Sequence, residues 1–274
     1  MAHKTLIGGT AYEIKGGRDL IGGTGYAKKK GRVLVNGTGY DIPFSRGIPI
    51  GTLPVGSVGK IGVNGKAYDF LVVNQGIPLN SNLYDNSCDG TWLLMKDIYE
   101  NRSWHRSNVN DYANSTIHSY LNSTFLAMFD SNIQNAIKQV KLPYRAGSGY
   151  GKTVTSGASG LQAKIFLLSS TEVNLVHGYE PTNEGACLSY FSGTAQNGSD
   201  TKRIAYLSGS ATYWWLRSPY CNSNYGSLYA LNVRSNGGWS NGYCSHSSGV
   251  RPAFTLPSTF PLIQNPDGSY SPAA

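Results

Sequence analysis

The chain has 274 residues and a formal charge of +8, yet only 14% of it is charged, against 34 Gly, 19 Tyr and 12% aromatic residues. So little charge with so much Gly and Tyr argues against a helix-rich enzyme and for short strands joined by turns, and the aromatics suffice to build a core. Eight Lys/Arg against three acids place +5 on residues 1–46 and leave +3 for the other 228, which is no nucleic-acid footprint; KKKGR at 28–32 reads as a solvated turn. No apolar run approaches the ~20 residues that span a bilayer, and MAHKTLIGG lacks the apolar centre of a signal peptide, so neither membrane insertion nor secretory export is expected.

The chain opens on a repeat of period 14: LIGGTAY (6–12), LIGGTGY (20–26) and LVNGTGY (34–40). Gly-Gly and Asn-Gly between β-prone residues predict hairpins, and units this short need stacking or pairing between subunits. Residues 1–46 are therefore a β-hairpin region for attachment or oligomerisation. The Gly/Pro-punctuated stretch 47–66 reads as a linker, 67–262 as the main domain and 263–274 as a fraying tail.

Within the main domain, AYDFLVVNQ (67–75) predicts a strand and TWLLMKDIY (91–99) a strand or short helix. Between Asp111 and Val140 the pattern turns helical: Ile117, Tyr120 and Leu121 recur at helical spacing, then Ile133, Ile137 and Val140 after a cap at Asp130. IFLLS (165–169) predicts a strand that runs into Ser-Ser-Thr-Glu (169–172), a capping box opening a short helix at 173–176. Further strands and turns follow, giving an α+β fold with about two helices and a twisted, mostly antiparallel sheet of short strands.

Legible chemistry is sparse. Ala146–Thr153 mimics a phosphate-binding loop, but TVTSGASG after it is not a helix that could offer amides to phosphate. The five histidines show no metal-ligand spacing, the four cysteines no C-x-x-C, and no G-x-S-x-G elbow is present. Glu172 is assigned to the cap, and Glu180 and Glu184 on a Pro-containing loop read as solvated. No catalytic residue, metal or cofactor is expected. Cys221 and Cys244 lie at the two ends of one segment, and spacing does not decide whether they pair.

That segment, 220–248, is the informative one. It lies between TYWWLRSP (212–219) and GVRPAF (249–254). Its 29 residues are seven Ser, five Asn, four Tyr, four Gly, two Cys and seven others (Leu228, Ala230, Leu231, Val233, Arg234, Trp239, His246). Tyr offers wide amphipathic contact at low rotamer cost, and Ser, Gly and Asn offer adaptable hydrogen bonds, so the composition is that of a recognition surface. A structureless loop of this length is uncommon unless functional. Trp214 and Trp215 point to opposite faces of a strand, which places at least one in the core.

YWWLRSP and GVRPAF framing an Asn/Tyr/Ser-rich segment resemble the variable proteins of diversity-generating retroelements, which use the C-type-lectin fold of the formylglycine-generating-enzyme subtype. YDFLVVNQ, GTWLLMKDIYENRSWH, NDYANSTIHSYLNSTFL and KLPYRAGSGYGKT resemble the same family as found in phages and prophages of gut bacteria, over residues 60–260. In that family template adenines are replaced at random, mostly in AAC codons, and nearly all the unusual residues of 220–248 belong to the set such codons reach. The resemblance implies ligand contact and variation at Tyr220, Asn222, Asn224, Tyr225, Ser227, Tyr229, Asn232, Arg234, Asn236, Ser240, Asn241, Tyr243, Ser245 and His246. It implies a fixed scaffold at Trp214, Trp215, Arg217, Trp239, Gly249, Arg251 and Pro252. The calcium sugar-binding motifs of true C-type lectins are absent, and Glu180-Pro181-Thr182 departs from them.

The implied function is host attachment by a phage tail protein made in the bacterial cytoplasm. Its partners would be a host-surface protein or glycan receptor, with other tail proteins and homotrimer formation through the N-terminal repeats. The alternatives are a bacterial cell-surface adhesin or structural virion protein, and a formylglycine-generating-like enzyme, whose reactive cysteine pair would have to be Cys221 and Cys244 within the mutable segment.

Overall fold

Val58, Ile61 and Val63 on one run and Phe70 to Val73 on the next are separated by Asn64-Gly65, both at left-handed φ (51° and 71°), the geometry of a two-residue hairpin turn. Such hairpins organise most of the molecule. The computed structural model describes residues 47–273 and, before them, strands β1 (Lys4–Ile7), β2 (Thr10–Glu13), β3 (Lys30–Val35) and β4 (Thr38–Pro43). The chain divides into two compact units, Met1–Gly47 and Ile48–Ala274. In the first, β1 pairs with β2 and β3 with β4, in the first and third copies of the repeat. The middle copy at 20–26 lies outside the described residues.

The second unit is mixed α+β, mostly sheet with few helices. It begins with β5 (Ile48–Pro49), β6 (Val58–Val63), β7 (Lys66–Gln75), β8 (Thr91–Met95) and β9 (Glu100–Ser103). Helices α1 (Thr116–Tyr120) and α2 (Ser131–Ala136) follow, then short strands β10 (Val140–Leu142), β11 (Leu161–Ala163), β12 (Ile165–Phe166), β13 (Tyr206–Leu207) and β14 (Ser210–Ala211). The last third is β15 (Trp214–Pro219), β16 (Tyr229–Val233), β17 (Trp239–Tyr243), β18 (Ser247–Val250), β19 (Ala253–Leu256), β20 (Pro261–Gln264) and β21 (Tyr270–Pro272). An eight-stranded sheet has the order β12-β19-β8-β7-β6-β21-β20-β5, and a five-stranded one β17-β16-β15-β18-β9. Among the described residues only β6/β21 and β15/β18 pair in parallel.

Four expectations are corrected. Residues 47–66 are not a linker: β5 pairs with β20, and β6 with β7 and β21, because Ile50, Leu53, Ile61 and Val63 are buried and carry the stretch into the core. The tail does not fray through 263–272, since β20 and β21 pair with each other and with β5 and β6. Helix does not run through 111–140. From α1 the chain continues through a π turn and a 3-10 turn to Met128, and Phe129 then becomes extended to bridge Val63. Asp130 precedes α2, but its side chain accepts no amide hydrogen bond. The reciprocal bonds of the capping box do form, Ser169 N to Glu172 Oε2 at 2.9 Å and Glu172 N to Ser169 Oγ at 3.1 Å. No helix follows, because Asn174 is left-handed (φ 56°) and the Leu175 amide turns back to Ser170 O.

Both tryptophans of WWLRSP are fully buried, on opposite faces of β15: Trp214 in the apolar cluster with Trp92, Phe166 and Leu231, Trp215 in the one with Trp104, Phe125 and Phe254. Two residues on, still in β15, Arg217 enters the interior as a cation. Its Nη1 and Nη2 donate to Glu172 at 2.6 and 2.7 Å, and its remaining N–H groups to the carbonyls of Pro143, Leu167 and Glu184, so all five donors are used. Tyr84 Oη and the Ser169 amide complete the Glu172 carboxylate. Removing one member of such a pair strands the other. Arg217→Met is expected to lower the unfolding free energy by about 3–5 kcal/mol in urea titrations, and a second substitution, Glu172→Met, to recover part of that loss.

Candidate functional site

The segment 220–248 is not a free loop. Residues 220–228 fold back so that Tyr220 N reaches Tyr229 O and Cys244 N reaches Leu228 O, and the rest forms the β16–β17 hairpin. Alternation along the paired strands sets two faces. Tyr229, Leu231 and Val233 lie opposite Tyr243, Asn241 and Trp239, while Ala230 and Asn232 lie opposite Gly242 and Ser240.

On the first face Leu231 and Val233 are buried in the core, and around them runs a continuous band of rings. His177 stacks on Trp239 (4.0 Å, 13°), and Tyr179 lies 5.9 Å from Trp239 and 5.1 Å from Tyr220. From there the band runs through Tyr225, Tyr229 (4.3 Å from Tyr243) and Tyr243 to His246. Tyr179 and Tyr225 are exposed and the middle of the band is half-buried, so ring faces and edges are offered outward over a fixed base.

Of the expected contact residues, Asn224, Tyr225, Arg234, Asn236, Ser245 and His246 are exposed. Asn222, Ser227, Tyr229, Ser240, Asn241 and Tyr243 are half-buried. Tyr220 and Asn232 are not on the outer surface: they are 6% and 5% exposed, because Tyr220 packs into the core beside Tyr229 and Asn232 faces inward on β16. The expected scaffold residues Trp214, Trp215, Arg217, Gly249, Arg251 and Pro252 are buried. A Cβ on Gly249 would stand 2.7 Å from both Ile98 Cδ1 and Tyr213 O. Trp239 is half-buried, held by His177 and by its Nε1 bond to Asn197.

Several residues that hold this surface left no mark in the sequence pattern. Arg203, fully buried, ties the β16–β17 turn to its neighbours: Nε donates to Gly237 O at 2.7 Å, and the other nitrogens to the carbonyls of Val173, Ala195 and Gly198 and to Thr194 Oγ1. Gly237 has φ 79°, and a Cβ there would strike Asp200 O. Asn110 bonds to Tyr229 O, Gly149 and Arg145, joining Ala146–Thr153 to β16, so that phosphate-loop mimic works as a brace. All five indole N–H groups are donors, three of them between strands and loops around β15.

Glu180 and Glu184 are buried rather than solvated. Glu180 accepts from the His177 and Gly178 amides, while burial draws His177 down to about 4 despite the neighbouring Glu180; His177 Nε2 has no partner. Glu184 sits against Ser218 Oγ and the Arg145 amide, and burial pushes it up to about 7. All four cysteines are free, and burial raises Cys221 and Cys244 to about 12. Among the described residues no cluster of three His, Cys, Asp or Glu could hold a metal ion, and no helix is long and apolar enough to cross a membrane.

The frame and its aromatic face fall inside a single family boundary. The chain belongs to the family described as Domain of unknown function (DUF6273), whose model matches residues 89–258, from just before β8 to just after β19. No curated protein and no solved structure matches it.

Glu184 gives a pH test. An acid whose pKa is higher folded than unfolded stabilises fully below the unfolded value (4.5) and loses that contribution as pH rises through about 7. His177 and His118, both held near 4 by burial, act in the opposite sense between about 4 and 6.5. The wild type should therefore be compared with Glu184→Gln: melting temperatures are expected to lie close together at pH 4.5 and to diverge by pH 8, with the Gln variant higher.

Proposed function

We propose that this protein is a ligand- or receptor-binding variable protein of a diversity-generating retroelement, built on the C-type-lectin fold of the formylglycine-generating-enzyme subtype and carried on a phage tail for host attachment. The observation that carries the reading is the aromatic band from His177 to His246, presented outward by a hairpin whose inward positions are fixed by packing. Tyr, Ser and Asn on a rigid base are what a surface needs to change partner without changing fold. The pairing of β5 with β20, first and nearly last strands of the unit, is compatible with the looped closure of that fold.

The partner is a host-surface protein or glycan, and the N-terminal hairpins join the chain to other tail proteins as a homotrimer. The protein binds rather than catalyses: Cys221 and Cys244, the pair an enzyme of this subtype would require, are thiols raised to about 12, hence protonated and poorly nucleophilic at neutral pH.

Two measurements test this. Cell adsorption of the purified chain across gut bacterial strains should depend on the band: Tyr225→Ser, Asn224→Tyr and Ser245→Asn are expected to shift which strains are bound, while each moves the unfolding free energy by less than about 0.5 kcal/mol. Unaltered strain choice in all three, or collapse of folding, would sink the reading. The neighbouring DNA should hold a reverse-transcriptase gene and an imperfect repeat of the 220–248 coding sequence that differs at adenines; a locus with neither removes the retroelement.

A further inference from the structure

The second face of the hairpin holds a cleft of about 470 Å³, within the range of small-ligand pockets. It has Trp215 beneath it and Asn232 and Ser248 in its wall. Both polar residues are more than nine-tenths buried, and both are unsatisfied: Asn232 Oδ1 and Ser248 Oγ have no hydrogen-bond partner. A buried carbonyl or hydroxyl left unpaired costs about 1–3 kcal/mol, so two in one wall favour a ligand toward which the Asn232 amide and the Ser248 hydroxyl turn to pair.

The lining sets the ligand's chemistry. None of it is Lys, Arg, Asp or Glu, so no permanent charge there compensates a phosphate, a carboxylate or an ammonium. Asn101 and Thr212 add further neutral donors and acceptors, and Tyr213, 42% exposed, offers a ring at the mouth. Asn232 Oδ1 needs a donor, whereas Ser248 Oγ can give or accept. Vicinal hydroxyls do both at short spacing, and the C–H face of a sugar ring packs on an aromatic side chain. The geometry points to a binding site for one neutral monosaccharide unit, held without calcium, between Asn232 and Ser248. It rests on the reading of 220–248 as a recognition surface, because Asn232 and His246 at the rim belong to that segment.

Ligand-observed saturation-transfer NMR on the full chain in EDTA tests it, with the methyl glycosides of glucose, galactose, mannose and N-acetylglucosamine as probes and glucuronate and a Gly-Ser-Asn tripeptide as comparators. At least one neutral glycoside is expected to bind with millimolar Kd, weakened about tenfold or more by Ser248→Ala and by Asn232→Leu. Ser248→Ala, which removes an unpaired buried hydroxyl, should leave the melting temperature unchanged or raised, so its loss of binding is not a loss of fold. Tyr225→Ser should keep glycoside affinity within about twofold while altering strain choice. Absence of glycoside binding up to tens of millimolar, preference for glucuronate or the tripeptide, or binding that survives Ser248→Ala overturns the proposal. If strain choice ignores the aromatic band while glycosides still bind here, the attachment reading falls and the cleft stands.

Discussion

Arg217 and Glu172 meet where neither can reach water, and each spends its whole hydrogen-bonding capacity on the other and on its neighbours. The pair draws together chain segments far apart in sequence: Tyr84 before β8, Pro143 after β10, Leu167 after β12, Glu184 from the long loop and β15 itself. A buried pair of this kind is weak evidence for net stability, since an apolar replacement can do as well. Its effect here is on register. The guanidinium can satisfy its five donors only if β15 sits at one place against the 167–172 stretch, and that fixes where Trp214 and Trp215 enter the two apolar clusters.

From β15 the constraint passes outward. β16 pairs with it at Trp214–Val233 and Trp215–Asn232, and β17 pairs in turn with β16. Arg203 locks the turn between them through Gly237, and Asn110 holds the start of β16. The aromatic band is therefore positioned by a chain of fixed elements, together with Tyr220 in the core and Trp239 against His177 and Asn197. Burial is divided accordingly: Ala230, Leu231 and Val233 inside, Asn224, Tyr225, Ser245 and His246 outside.

Much of this was legible because it depends on local rules. Alternation placed Trp214 and Trp215 on opposite faces, Asn-Gly and Gly-Gly marked hairpins, and composition singled out 220–248. What was not legible depends on partners distant in sequence. Glu184 looked solvated because nothing nearby in the chain announces Ser218 and Arg145. The capping box formed its bonds without a helix, because Arg217 and Tyr84 hold the same carboxylate and Asn174 turns the chain away. The 47–66 stretch looked like a linker because Gly and Pro dominate it, although its few apolar residues complete the large sheet. Asn232 looked like a surface residue by type, and only the pairing of β16 with β15 and β17 turns it inward.

The order β17-β16-β15-β18-β9 leaves β17 outermost in its sheet among the described residues. A side chain on an inner strand has neighbours on both flanks, and a poor fit propagates both ways. One on β17 has a single flanking strand, so its replacements strain one ladder only. The same position leaves a row of β17 amides and carbonyls without strand partners, and these do not alter when the side chains do. The Trp, Ser, Asn and Tyr side chains of β17 thus sit beside a main-chain margin that is the same whatever they are, which an extended segment of any sequence could meet in the same way.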